Sequence, residues 1–422
     1  MTSHGPEGEA AADTSPDAPG RFGALRSPAF RLLMAAGMAM QLGQWIQRVA
    51  LLYVVYEITG SAVALGALGF LTSIFVIVLS PVAGIVADRF GARRVLMFAA
   101  VGQASAASVL ALAEFSDHAS MPLLYAVGAT FGIGQALNQP TRNLLVYDSV
   151  GRDRLRNGLA LNAMTGGTMR IIGPTIGGLV IAVAGAGAAF GLQAFLLIAA
   201  VLLVYVLPVE SRRVTGGPGA WSALVGGARH LRGNASVRQN VLVAGLTSAL
   251  VYPYLHFIPV FAAENLGGGA SAQGILLSAG GIGSMVGLWY VMAGRGGMRS
   301  MLWASTIYMA FVTVFTQSTN LWLGFGLLIA AGVVHSVYMT LNQALVQLNA
   351  PEEYRARVMG IYSMMSGFEP FSTLALGPLI QAVGVSTATG SATGVAMLIA
   401  LSMAVGATLS ERRRAAAAPA RG

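Results

Sequence analysis

The sequence predicts an all-α membrane protein, with twelve transmembrane helices in two six-helix halves related by an internal repeat. Three observations carry that expectation. Of 422 residues, only 10% are charged and 55% are hydrophobic, whereas a soluble domain carries about 25% charged residues. Apolar runs of about 20 residues, each long enough to cross a bilayer as a helix, recur from Leu32 onward. Several short motifs return at a nearly constant offset. Sixteen acids and 25 bases cannot cover a soluble surface of this size. A soluble globular enzyme, a disordered chain and a fibrous repeat are thereby excluded.

The elements follow in order. Met1 to about Gly20 is polar and lacks the basic start and short apolar stretch of a secretory signal, so residues 1–25 read as a disordered cytoplasmic tail. The spans are expected at 32–56, 62–86, 94–113, 122–147, 159–184 and 188–208, then at 240–262, 273–293, 301–316, 321–347, 358–383 and 391–409. The runs are continuous rather than alternating, which argues against a closed β-barrel. The expected organisation is a six-helix bundle at 26–208, a cytoplasmic linker at 209–239, a second bundle at 240–410 and a basic tail at 411–422. An interfacial amphipathic segment is expected in the linker around Trp221 to Leu231.

The 54 glycines, poor material for soluble helices, suit membrane helices because small residues let backbones approach closely. Every base is Arg, and there is no Lys or Cys. Disulfides, thiolate chemistry and Cys-based metal sites are excluded. A phosphate-cradling P-loop needs Lys, so it is excluded too. No cofactor and no metal are expected. All the arginines but Arg48, Arg142 and Arg170, which lie within spans, fall in alternate loops and the tails, from Arg21, Arg26 and Arg31 through the long middle loop to Arg412, Arg413, Arg414 and Arg421. The other loops hold Glu57, Glu114, Asp117 and Glu264. By the positive-inside rule both termini are cytoplasmic. The net charge of +9 then reflects topology and contact with anionic lipid, not nucleic-acid binding.

The repeat is legible at three places. Asn138-Gln139 recurs as Asn342-Gln343 and Gly173-Pro174 as Gly377-Pro378, both at an offset of 204. Arg89, Gly91 and Arg93 recur as Arg295, Gly297 and Arg299 at 206. Parallel repeats of this kind are a transporter architecture, with the substrate site between the halves.

The stretch from Gly84 through Asp88, Arg89 and Gly91 to Arg93 and Arg94 resembles the loop signature of the major facilitator superfamily. Three further stretches resemble its third group of drug/proton antiporters, which includes the enterobactin-exporter-like proteins. They are Gly43 to Arg48 running on to Ser61, Asn138 to Arg142, and Asn162 to Pro174. Two departures stand out. Ala92 replaces an Arg of the loop signature. In the helix 5 signature Gly173, Pro174, Gly177 and Gly178 match, but Ala160 and Met169 stand where upstream glycines belong.

The resemblance implies a cytoplasmic latch. Asp88 would meet the start of helix 11 near Val358, and Arg89 and Arg93 would pair with Asp148. Gly84 permits close helix packing and Gly91 a tight turn. Polar residues at i, i+3, i+7 share one helix face. Gln41, Gln44 and Arg48 form such a set, as do Gln135, Asn138 and Arg142, and His335, Tyr338 and Asn342. Uncompensated polar groups are costly in hydrocarbon, so these faces should look inward, onto a cavity. Interhelical hydrogen bonding, worth about 0.6 kcal/mol on average, is the plainer alternative for any single residue. The resemblance implies that helices 1, 4, 7 and 10 line that cavity, so Tyr252 and His256 of helix 7, four apart, join the set.

Glu369 is the only carboxylate expected near mid-span and is the proton-coupling residue, or else a structural partner of a buried Arg. Pro370 should weaken the helix beside it. Arg170 also lies near mid-span, where it lines the cavity or caps helix carbonyls. With Arg48 and Glu369 it leaves an excess of positive charge at depth, which favours neutral or anionic cargo.

The expected function is proton-driven export of small amphipathic molecules of drug, antibiotic or siderophore type by alternating access. The expected partners are the small-molecule substrate, protons and membrane lipid, for a monomer in a bacterial plasma membrane. An inward-running facilitator, or a lysophospholipid or nutrient carrier, is the alternative. An intramembrane enzyme built on Ser284 and His335 lacks a third partner.

Overall fold

The computed structural model describes residues 23–208, 235–292, 296–349, 358, 362 and 365–417. Most of the expected linker, its segment at Trp221 to Leu231, and Arg295, Arg355 and Arg357 lie outside them. All regular structure among the described residues is helical.

Helix α1 (Pro28–Thr59) starts at Ser27, whose hydroxyl accepts from the Phe30 N–H, with Pro28 in its first turn. Helix α2 (Ala62–Phe90) is capped in the same way by Ser61. Helix α3 (Ala92–Phe115) follows Gly91, whose φ of 87° makes the tight turn. A continuous helical stretch, Met121–Tyr205, is broken at Gly151 (φ 72°) and Gly185 (φ 82°). These left-handed positions reverse the chain, as only glycine does without strain. They divide it into α4 (121–150), α5 (152–184) and α6 (186–205).

Helix α7 begins at Ala235–Leu246 and continues through a π turn (Thr247–Val251) and a 3-10 turn (Tyr252–His256) to Phe261–Asn265. It bends by 47° at Phe257. Pro253 and Pro259 each remove a helical N–H, which accounts for the irregular turns. The remainder are α8 (Ala270–Met292), α9 (Met298–Thr316), α10 (Leu321–Asn349), α11 (Glu369–Val383) and α12 (Val385–Ala417).

Six described stretches are long and apolar enough to cross a membrane, or seven if bent α7 counts as one. They fall on α2, α3, α5 with α6, α9, α10 and α12. Helices α1 and α4 are not among them, because they carry the Gln, Asn and Arg residues that lower their hydropathy. Among the described residues of the span expected at 358–383, the helix is not regular throughout. A 3-10 turn, Ser366–Phe368, interrupts it, and α11 starts at Glu369. Pro370 cannot donate to a carbonyl one turn back, so the α-helix restarts there.

Two close helix pairs join the early and late parts of the chain. Helix α2 meets α11 at Gly66, where an added methyl would stand 2.8 Å from the Thr373 carbonyl oxygen. Helix α5 meets α8 at Gly178, where a methyl would stand 2.8 Å from the Ala270 oxygen and from Gly274 Cα. Without side chains at these points the backbones pack directly.

Candidate functional site

A cavity of about 820 Å³ lies between α1, α2, α3, α4, α7 and α11. Its wall contains Gln41, Gln44 and Arg48 from α1, and Gln135, Asn138 and Arg142 from α4. His256 and Glu369 close one side. Trp45, Gln47, Thr72, Gln103 and Asn143 also line it. Sequence reasoning missed these residues, although Trp45, directly beside Gln44, shares the polar stretch of α1. Trp45 places its ring under the Arg48 guanidinium, 5.7 Å from centroid to Cζ.

The centre of the site is a three-residue cluster. Arg48 Nη2 lies 3.3 Å from His256 Nε2 and 3.9 Å from Glu369 Oε1. His256 Nδ1 lies 3.4 Å from the same carboxylate oxygen. A guanidinium only donates, so Nε2 must accept, which leaves the neutral imidazole's proton on Nδ1, facing Glu369. Glu369 is the first residue of α11, where the positive helix end favours a carboxylate. Its N–H donates to the Ser248 hydroxyl at 3.2 Å, tying the helix start to the irregular part of α7. The carboxylate is thus held at a helix break rather than within a continuous span. Its side chain is 23% exposed to the cavity and that of Arg48 35%.

A second cavity, of about 50 Å³, shares Trp45 and Arg48 with the first. Arg170, Tyr252 and His335 line it, together with Tyr254 and Tyr308. Tyr252 Oη and His335 Nε2 are 2.8 Å apart, and the His335 and Tyr308 rings lie 4.8 Å apart. The expected face of α10 therefore divides. His335 reaches a cavity, whereas Tyr338 and Asn342 are fully buried between helices. Tyr338 Oη accepts from Thr247 at 3.2 Å and from Asn342 at 3.4 Å, and Asn342 also donates to the Asn240 carbonyl. Ser284 donates to the Gly280 carbonyl at 2.8 Å, so its hydroxyl serves the backbone.

Gly173 of α5 packs on Trp45 and Gly177 on Ile46, while Pro174 and Gly178 face α8. At the expected latch, Arg93 donates to the Val204 carbonyl at 3.0 Å and to that of Tyr205. Arg89 is exposed and lies over the Phe90 ring, and Asp148 is half-buried. The Asp88 side chain and the surroundings of Gly84 lie outside what the structure describes. No group of three potential metal-ligating side chains occurs among the described residues.

A helical bundle with apolar spans around a polar cavity is an architecture that membrane transporters use. The chain belongs to the transmembrane secretion effector family of the major facilitator superfamily, whose model matches residues 19–421. These are multi-pass membrane transporters of small molecules, not enzymes. The chain is 22% identical over 363 residues to the staphyloferrin A transporter of Staphylococcus aureus, covering 84% of this chain and 90% of that one. It is 24% identical over 410 residues to the uncharacterized MFS-type transporter YfiS of Bacillus subtilis, covering 90% and 94%. Among solved structures it resembles a POT family transporter in complex with 5-aminolevulinic acid, with a TM-score of 0.72 at 12% identity, covering 92% of this chain and 97% of that one. It also resembles the nucleoside transporter NupG, with a TM-score of 0.68 at 16% identity, covering 88% and 98%. At such identities the structures establish the fold alone.

Proposed function

We propose that the protein exports small amphipathic molecules, of drug, antibiotic or siderophore type, from a bacterial cell by alternating access in exchange for protons. The observation that carries this reading is the Arg48, His256 and Glu369 cluster in the wall of a cavity large enough for such a molecule. Arg48 comes from the first expected bundle, and His256 and Glu369 from the second. Protonation of Glu369 would remove its attraction for Arg48 and loosen one tie between the halves. Cargo and proton would then compete for the same site, as exchange requires.

The reading includes twelve spans in two six-helix halves, 26–208 and 240–410, acting as a monomer with both termini cytoplasmic. The α2–α11 and α5–α8 contacts support the repeat, because α5 and α11 carry the repeated Gly-Pro. The halves also meet where α1 ends. There Tyr56 donates to Glu264 at 2.8 Å, and Gln273 donates to the Val49 carbonyl at 3.0 Å. With the N-terminus cytoplasmic, this closes the outer side and leaves the cavity accessible from within.

The test compares accumulation of a panel of fluorescent amphiphiles and siderophores in cells with and without the gene. Lower accumulation that a protonophore abolishes is expected. Accumulation unaffected by the gene, or lowered equally with the gradient collapsed, would overturn proton-driven export.

A further inference from the structure

The charges around the large cavity do not cancel. Among its described lining residues the charged side chains are Arg48, Arg142 and Glu369. Glu369 lies beside Arg48. Arg142 has no acid partner among the described residues. Its Nη2 donates to Asn162 Oδ1, a neutral amide, and its Nε–H meets no acceptor although the residue is only 3% exposed. A buried charge without a counterion is costly, more so within a membrane. Yet the surroundings are shaped to hold it. Gly37 of α1 lies directly against the guanidinium, and a methyl there would stand 3.0 Å from Cζ.

Two neighbours in the cavity wall are also incomplete. Asn138, one turn before Arg142 on α4, has an Oδ1 without a partner, and Gln44 has an Nε2 without one. The residues of the cavity wall therefore include two unpartnered donors, one of them on a charged group, and one unpartnered acceptor. The excess is one positive charge.

We propose that the molecule held in this cavity bears a carboxylate that pairs with Arg142, and a hydroxyl or amide donor that meets Asn138. This rests on the reading of the cavity as the cargo site and narrows its cargo from amphipathic molecules in general to monoanionic ones. A carboxylate supplies the missing counter-charge and the acceptor that Nε–H lacks. A cationic amphiphile would add to the excess.

The test uses naphthalene-1-acetate and its uncharged analogue, naphthalene-1-acetamide, titrated calorimetrically into the protein in nanodiscs, with empty discs subtracted. The acid should bind about tenfold more tightly than the amide, as one charge-assisted hydrogen bond provides. Arg142→Gln should erase the difference and Arg142→Lys retain most of it. Gly37→Ala, which crowds the guanidinium without changing any charge, should weaken acid binding and leave amide binding unchanged. Equal binding of acid and amide by the unaltered protein, or binding of neither, overturns the proposal. So does a preference that persists in folded Arg142→Gln. The outcome is separable from that of the export test. Acid preference without proton-driven export would remove the export reading alone, and export without acid preference would remove only this one.

Discussion

Replacing Glu369 by Gln keeps the size of the side chain and removes its charge and its capacity to take up and release a proton. At the observed 3.9 Å separation, the Coulomb attraction between Glu369 and Arg48 is about 4 kcal/mol at an effective dielectric constant near 20. Both side chains open onto the cavity, 23% and 35% exposed, and solvent screening there lowers the net attraction to about 1 kcal/mol. Glu369→Gln should therefore cost about that much stability and leave the fold intact. Arg48→Gln should cost a similar amount. The double variant should cost less than the two singles together by about 1 kcal/mol, because the second change removes a charge that already lacks its partner. Transport separates this structural effect from coupling. In proteoliposomes, Glu369→Gln should abolish cargo accumulation driven by an imposed pH gradient and retain exchange of labelled for unlabelled cargo at equal pH. Gradient-driven accumulation at the unaltered rate in the variant would refute the coupling role, and strictly additive stability losses would refute the pairing.

Other consequences are equally concrete. Gly178→Val would drive a branched side chain into the Ala270 carbonyl and Gly274, at a cost of about 1–3 kcal/mol. Transport should fall more steeply than expression, measured by fluorescence-detected chromatography, and unchanged transport would show that the α5–α8 contact does not matter. Tyr56→Phe removes the 2.8 Å bond to Glu264 and should favour opening at that end. The chain has no Cys, so a single cysteine at Gln135 reports cavity access directly; labelling by an impermeant reagent from the cytoplasmic side should decrease in Tyr56→Phe, and an unchanged rate would discount this bond as a gate. Asp88→Asn should reduce transport at normal expression if the loop signature is a latch, whereas full transport would leave it an ordinary charged loop.

Much of the cavity lining could be read from spacing. Gln41, Gln44 and Arg48, and Gln135, Asn138 and Arg142, all line the large cavity, because a helical period places such residues on one face whatever surrounds it. The same period could not say what that face meets. On α10 it grouped His335 with Tyr338 and Asn342, yet only His335 reaches a cavity. The other two hydrogen-bond to one another, and also to Thr247 and the Asn240 carbonyl. Gln103 on α3 belongs to no polar face, so spacing gives no signal for it. It is buried, with its amide donating to the Phe131 carbonyl, and only the packing of α3 against α4 brings it to the wall. Pro370 was a legible signal that the helix weakens beside Glu369. That the helix restarts there, with its N–H on Ser248, depends on where α7 lies.

The sequence by itself determined the solvent. Ten per cent charge and recurrent apolar runs leave a bilayer as the environment in which this chain can fold, since hydrophobic burial and backbone hydrogen bonding are set by composition and local periodicity. It also determined which few residues could carry charge at depth. Tertiary structure alone decided which of these meet. Arg48 and His256 are separated by 208 positions, and no local rule relates two residues on different helices. Their juxtaposition depends on the bend of α7 and on the glycine contacts that set how closely the helices approach. The same packing leaves Arg142 in the cavity wall with no acid partner among the described residues, and its charge is the one on which the proposed carboxylate contact rests.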